Sequence, residues 1–227
     1  MPPEAVRRGL RDQVYDAVLD LILEGTISPG ERLRIDGVAA DLKVSPTPVR
    51  EALAHLERTG LVTREGFKGY RVAAPLTAAQ GDQLMDAREM IELQATRWFA
   101  RRLPAGVDDL RAAHDGHVRA AAETSDSLAG GSLDMPTFRK YFDADAAFHR
   151  VIYVGSGNQF LVQLADDLGG HVHRLRENVR HHTYDMNQAV AEHAGVLAAA
   201  QSGDEDAMVA AMQRHMAGVR ERSVRGS

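Results

Sequence analysis

The sequence predicts a mainly α protein in two parts. An N-terminal winged helix-turn-helix, three helices plus a β-hairpin wing, takes residues 1–75. A C-terminal all-α six-helix bundle takes residues 76–227. Three observations predict this. Apolar residues recur at helical spacing along most of the chain. The strand-like stretches flank one turn, Gly66-Phe67-Lys68-Gly69. No strand pattern survives past Pro75. At 227 residues the chain is long enough for two domains.

The first helix is predicted from about Leu10 to Glu24, with Val14, Val18, Leu21 and Ile22 at i, i+4, i+7 and i+8. Gly25 is a candidate C-cap, and Pro29-Gly30 a turn. A short helix follows from about Ile35 to Leu42, with Val38, Ala39 and Leu42 inward. In Ser45-Pro46-Thr47-Pro48-Val49-Arg50 the prolines look helix-breaking. With Ser45 as N-cap, however, they become the first and third helical residues, whose N–H groups have no intrahelical partner in any case. A third helix therefore starts at Pro46, runs to about Thr59 and ends at Gly60. Leu61–Arg64 and Tyr70–Val72 make the wing.

Six helical segments follow, at roughly 78–103, 107–124, 135–154, 158–182, 185–201 and 204–223. The breaks fall at Pro104, Gly130-Gly131, Gly155-Ser156-Gly157 and Ser202-Gly203.

Composition narrows the class. The apolar fraction of 44% is that of a protein with a real core. The absence of cysteine excludes disulfides and thiolate metal sites and fits a cytoplasmic protein. No apolar run of about 18 residues is present, so no membrane span is expected, and the first residues show no secretory h-region. Net charge is −5. Residues 1–75 carry eleven basic and eleven acidic side chains, so the acidic excess lies in the second part. A neutral first domain can still grip DNA if its basic groups share one face.

A short helix, a tight turn and a longer helix is the geometry that lays a recognition helix in the major groove. Ser45 and Thr47 are placed to donate to phosphate, as are backbone N–H groups at the helix start. Arg50, one turn in, reaches a guanine edge or a phosphate. Lys68 at the wing tip is placed for the backbone or the minor groove. Arg34, at the entry to the second helix, and Gly69, beside Lys68, complete the DNA-binding set. Taken singly, Arg50 is a solvated helix residue and Lys68 a polar turn residue; the combined pattern favours double-stranded DNA.

The run from Leu33-Arg34-Ile35-Asp36 through Val44-Ser45-Pro46-Thr47-Pro48-Val49-Arg50-Glu51-Ala52-Leu53 to Leu56-Glu57-Arg58-Thr59-Gly60-Leu61-Val62 resembles the winged helix of GntR-family regulators. The resemblance implies a homodimer on a short pseudo-palindromic operator. Pro46 departs from it, because many members carry there an arginine that often contacts DNA.

The second domain holds nine of the ten histidines. His114, His117, His171, His173, His181 and His182 fall on polar or mixed faces and read as helix-surface residues. Asp145 and His149 share a helix face at i, i+4; Asp143 shares it poorly, since six residues turn about 600°. His193 and His215 lie on later helices. Three imidazoles and a carboxylate can converge inside a bundle, in a set that suits zinc, nickel or manganese. Satisfied core histidines are the alternative.

The run 77–223 resembles the FCD ligand-sensing domain of the FadR branch of that family. Six helices suggest its VanR-like form. The resemblance is carried by Ala87-Arg88-Glu89-Met90-Ile91-Glu92, Asp145-Ala146-Ala147-Phe148-His149, Ser156-Gly157-Asn158, Glu192-His193, Gly203-Asp204-Glu205-Asp206-Ala207 and Met212-Gln213-Arg214-His215. It implies Asp145, His149, His193 and His215 as metal ligands and Arg88 as a contact to a small carboxylate effector. An i, i+4 ion pair with Glu92 is the alternative for Arg88, and both can hold together.

The function expected from the sequence is a ligand-responsive transcription regulator, a repressor in the commoner family behaviour, with no catalytic residue. Two alternatives stand beside it. A His₃-Asp metal could activate water in a hydrolase-like helical domain, although Glu192, adjoining His193, points about 100° away on its helix. Or the metal is purely structural.

Overall fold

The computed structural model describes residues 9–66, 69–130, 135–177 and 186–225. They fall into two compact units. One takes in the chain up to Pro75 together with Gly169–Glu177; the other takes Leu76–Leu168 and the chain from residue 186 on.

In the first unit α1 (Leu10–Leu23), β1 (Arg32–Leu33), α2 (Ile35–Asp41), α3 (Pro46–Arg58), β2 (Val62–Arg64) and β3 (Tyr70–Val72) follow one another. Val14, Val18 and Ile22 of the predicted α1 stripe are buried in one core with Val49, Leu53 and Leu56 of α3 and with Val62, Tyr70 and Val72, whereas Leu21 is half-buried and Leu19 joins the core. Ser45 is the extended N-cap of α3 and Pro46 its first residue, so the prolines start the helix rather than break it. Lys43, in left-handed backbone at φ 55°, makes the turn between α2 and α3.

The sheet order is β1-β3-β2, all antiparallel, with Val62 opposite Val72 and Leu33 opposite Tyr70. β1 is not predicted from the sequence, because two residues leave no period-two pattern. It forms on the free edge of β3. Gly69 permits this: its φ is +96°, and a Cβ there would lie 2.8 Å from the Leu33 carbonyl oxygen. The register sets Arg32 opposite Arg71, a like-charge pair that would repel. Glu65 neutralises both, accepting from Arg71 Nε at 2.6 Å and Arg32 Nε at 3.1 Å. Phe67 and Lys68 lie outside the described residues, and with them the wing-tip candidate Lys68.

The second unit is built from α4 (Ala78–Ala100), α5 (Val107–Ala129), α6 (Met135–Gly155), α8 (Met186–Ser202), α9 (Glu205–Arg220) and the first part of α7 (Gln159–Glu177); α9 runs on into a π-helical turn, Glu221–Arg225. Thr77 and Gln80 form a reciprocal capping box at the start of α4. Asp204 caps α9 by accepting the Ala207 N–H at 2.9 Å. The predicted fourth bundle segment extends to 182, and its part beyond Glu177 lies outside the described residues.

α5 packs on α6 and α8, α4 on α6 and α9, and α8 on α9. Met85 and Phe99 of α4, Leu110 of α5, Tyr141, Phe148 and Ile152 of α6, Val196 of α8, and Met208 and Met212 of α9 are completely buried. Large apolar side chains of this kind contribute about 1.5–3 kcal/mol each on burial. Within that apolar frame sit Arg88, Glu92, His117, Asp145, His149, His193 and His215, all buried. Buried polar groups are tolerated when they satisfy one another. No helix among the described residues is long and apolar enough to cross a membrane.

Candidate metal centre

Four of the helices meet at one point. Asp145 and His149 come from the same face of α6, His193 from α8 and His215 from α9. The imidazoles converge through the same atom: His193 Nε2 lies 3.1 Å from His215 Nε2, which lies 3.3 Å from His149 Nε2. Arg88 of α4 brings its Nη2 to 3.2 Å from His149 Nε2. Asp145 Oδ1 stands 3.8 Å from His193 Nε2. Its carboxylate clusters most closely with His117 and His193, while His149, His193 and His215 form the other tight group.

The back of each ring is also held. His215 Nδ1 lies 2.8 Å from Glu192 Oε2. Arg222, in the π-helical turn, grips that carboxylate with both terminal nitrogens, at 2.8 and 2.7 Å. His149 Nδ1 lies 3.0 Å from Glu92 Oε1, an approach too oblique for a well-aligned hydrogen bond. Glu92 also accepts from Arg88 Nε at 3.2 Å. His193 is stacked on Phe148, with ring centroids 4.0 Å apart and planes inclined by 11°. Its Nδ1 meets His117 Nδ1 at 3.0 Å.

Charge is set by these contacts. Burial alone would raise the Glu92 carboxyl, but His149 and Arg88 outweigh it and hold the group down at about 2. Burial is overcome at Glu192 in the same way, by hydrogen bonds from Arg222 and His215, again to about 2. Burial pushes His193 well below the ordinary histidine range, and the neighbouring His215 and His149 push it further. His215 is lowered by burial against the pull of Glu192. His117 is lowered by burial to about 4. Burial opposes the charge of Arg88, yet Glu92 and Asp145 raise its pKa. At neutral pH, then, His193 and His215 are neutral imidazoles beside ionised carboxylates, the protonation state a metal ligand needs.

A divalent ion fits this donor set. His215 Nδ1 faces the Glu192 carboxylate at 2.8 Å, which puts its proton there and turns its Nε2 lone pair toward the common point; His149 Nδ1 stands 3.0 Å from Glu92 Oε1. At Zn–N distances of about 2.0–2.1 Å a tetrahedral N···N edge is roughly 3.3 Å, close to the 3.1 and 3.3 Å separations here. His149, His193 and His215, with Asp145, are the residues that would hold it. The carboxylates behind the rings are the partners that fix ring orientation in metal sites.

Sequence reasoning missed several of these roles. His117 is not a surface residue: it is completely buried. The signal was present, because Leu110, Ala121 and Thr124 place it on the buried stripe of α5. Glu192 does diverge from His193 along α8, yet it crosses to α9 and engages His215, a tertiary contact that helix spacing does not reveal. Glu92 serves His149 as well as Arg88, and Arg222 was not a candidate. His181 and His182 lie outside the described residues.

The DNA-binding candidates belong to the first unit. Ser45, Thr47 and Arg50 are exposed at the start of α3, and Arg34, the N-cap of α2, is exposed as well. Among the described residues neither Arg34 nor Arg50 forms an ion pair. The Ser45 side chain makes no capping hydrogen bond, so its hydroxyl is available for another acceptor.

Residues 10–72 match the model of the bacterial regulatory proteins of the gntR family, and residues 83–218 match the FCD domain. An HTH-type transcriptional regulator in an unstable DNA locus of Streptomyces ambofaciens, itself uncharacterized, is 30% identical over 211 residues, covering 92% of this chain and 83% of that protein. The HTH-type transcriptional repressor GlaR of Escherichia coli K12 is 29% identical over 147 residues, 65% of this chain and 63% of that protein. Among solved structures, E. coli McbR/YncC shares the fold with a TM-score of 0.70 at 22% identity, covering 92% of this chain and 94% of that one.

Proposed function

The chain belongs to the gntR family of bacterial regulatory proteins and carries an FCD domain, and from that premise we propose that it is a DNA-binding transcription regulator, a homodimer on a two-fold operator, governed by a small carboxylate at a metal-centred pocket. GlaR is named a repressor, which supports repression as the sign of control. The observation that carries the pocket is the convergence of three Nε2 atoms at 3.1 and 3.3 Å with an arginine at their edge.

Each residue has a stated task. Asp145, His149, His193 and His215 hold the ion, of which zinc suits the nitrogen-rich set best and nickel or manganese less well. When bound, such an ion supplies a Lewis-acidic position that attracts carboxylate. Arg88 is a permanently charged, desolvated guanidinium held by Glu92; its Nη2 borders the ligand atoms and gives a second point of attachment. In the first unit Thr47 and Ser45 position on phosphate while Arg50 reads the groove.

Regulation follows if the carboxylate prefers one arrangement of the helices and DNA prefers another. The coupling is reciprocal: effector that weakens DNA binding is itself bound more weakly on DNA, by the same factor.

Elemental analysis of untagged protein beside the Asp145→Ala/His149→Ala variant tests this reading. About one transition metal per chain in the wild type, lost in the variant, is expected. No metal after exposure to zinc, nickel and manganese overturns the pocket.

A second reading is favoured by the complete burial of His193 and His215: the ion only clamps α6, α8 and α9 together. Chelation then lowers the melting temperature while no small acid raises it. A metal-depleted protein of unchanged stability that no longer binds carboxylates overturns it.

A further inference from the structure

We propose that His117 is the positioning residue for the ligand His193, and that metal binding reverses the direction of the hydrogen bond between them. The proposal rests on the metal reading above. His193 is engaged by imidazoles on both sides, Nε2 by His215 Nε2 at 3.1 Å and Nδ1 by His117 Nδ1 at 3.0 Å. His117 comes from α5, a helix that supplies none of the proposed ligands. It is completely buried, with its ring 4.8 Å from that of Tyr141. Its other nitrogen, Nε2, is buried and has no hydrogen-bond partner among the described residues.

A neutral imidazole carries one proton, and that proton decides the direction of each bond. If His193 Nε2 binds a metal it is bare. The His193 proton is then on Nδ1 and is donated to His117 Nδ1, which must be bare in turn. His117 therefore carries its own proton on Nε2. Without a metal the opposite order satisfies the chain of rings. His117 Nδ1–H donates to His193 Nδ1, His193 Nε2–H donates to His215 Nε2, and His215 Nδ1–H donates to Glu192.

The two orders contain the same number of protons. In passing from one to the other, the shared proton moves from His117 Nδ1 to His193 Nδ1. His193 Nε2 gives up a proton and His117 Nε2 gains one. His117 thus selects which face of His193 is a lone pair, and its unpartnered Nε2 is where the change is registered.

His117 also clusters with Asp145 and His193 as a group able to hold a cation. The 3.0 Å Nδ1···Nδ1 separation is, however, that of a hydrogen bond, and Asp145 and His193 already belong to the first centre. The geometry favours positioning over ligation.

Long-range ¹H–¹⁵N spectra of full-length protein labelled in histidine, recorded during a zinc titration, test the proposal. In the wild type His117 is expected to pass from the Nδ1–H to the Nε2–H form as zinc binds. Zinc affinity, read by competition with a chromogenic chelator, should fall about 10–100-fold in His117→Phe. It should be partly restored in His117→Gln, whose amide oxygen can accept from His193.

An unchanged His117 tautomer in zinc-loaded wild type overturns the proposal without the use of any variant. So does wild-type zinc affinity in His117→Phe, or two zinc ions per chain with His117 ligated. A wild type that takes up no zinc removes the metal reading and this inference together. A wild type that takes up zinc as tightly as His117→Phe removes the inference alone.

Discussion

Glu192 and His215 meet across α8 and α9, Oε2 to Nδ1 at 2.8 Å, and Arg222 closes on the far side of the same carboxylate. The contact makes the orientation of His215 depend on a charge that ligates nothing. Glu192→Gln keeps the shape and loses that charge. Zinc affinity is expected to fall tenfold or more, read by chelator competition. An unchanged affinity would mean that His215 is oriented by packing alone.

Gly218 of α9 should be intolerant for a related reason. Glycine to alanine inside a helix ordinarily gains about 1 kcal/mol. Here a Cβ would lie 2.5 Å from Glu192 Oε1 and 2.8 Å from Arg222 Nη1. Gly218→Ala is expected to weaken zinc binding although it replaces no ligand. Equal affinity with a higher melting temperature would show that the ion pair moves aside at no cost.

Arg88→Met leaves Glu92 buried without its guanidinium partner. Removing one member of a buried pair costs on the order of 3–5 kcal/mol. Urea denaturation should show a loss at the lower end of that range, because His149 still faces Glu92, and carboxylates should no longer stabilise the protein. Adding Glu92→Leu should recover part of the loss. A variant as stable as the wild type would place the Arg88–Glu92 pair outside the energetics of the fold.

Metal-free protein should lose stability in two acid steps. His117, His193 and His215 titrate below the ordinary value of 6.5 when folded, so the unfolded chain takes their protons first. Their contribution is complete above pH 6.5 and is lost as pH falls below it, toward about 4 for His117. Glu92 and Glu192, at about 2 against an ordinary 4.5, add a second loss below 4.5. Each kcal/mol lost lowers the melting temperature by roughly 2–4 °C in a chain of this size. A melting temperature that stays flat from neutral pH down to about pH 5 would falsify the first step.

On DNA, Arg50→Ala is expected to cost about 1–3 kcal/mol at an operator and to relax the preference for one base pair. Arg34→Ala should weaken all sequences alike and reduce the salt slope by about one. Fluorescence anisotropy at two salt concentrations separates them. Wild-type binding by Arg50→Ala would remove α3 as the reading element.

What the sequence revealed and what it hid follow one physical division. Helices announce themselves locally: the Val14-Val18-Ile22 stripe and the Ser45-Pro46 start of α3 are visible within a single turn or two. Asp145 and His149 were legible together because i, i+4 spacing fixes a shared face. β1 was hidden because its two residues become a strand only through Gly69 and the edge of β3. Glu192 and Arg222 were hidden because they act across helix pairs, where no spacing rule applies. His117 was legible in principle, on the same stripe as Leu110 and Ala121, but its polarity masked its place on the buried face.

The proposed ligands are far apart in the order of synthesis. His149 precedes His215 by 66 residues, and the brace on His215 arrives later still, with Arg222. A nascent chain that has emerged only through α8 presents Asp145 and two of the three proposed imidazole ligands and still lacks His215. A chelating group of that size holds an ion far less tenaciously than the full set, so capture must wait until the ribosome has delivered α9 and the helices have docked. An ion seated there would act as a quality mark, absent from unfinished chains and present only on those whose last helices have found their places.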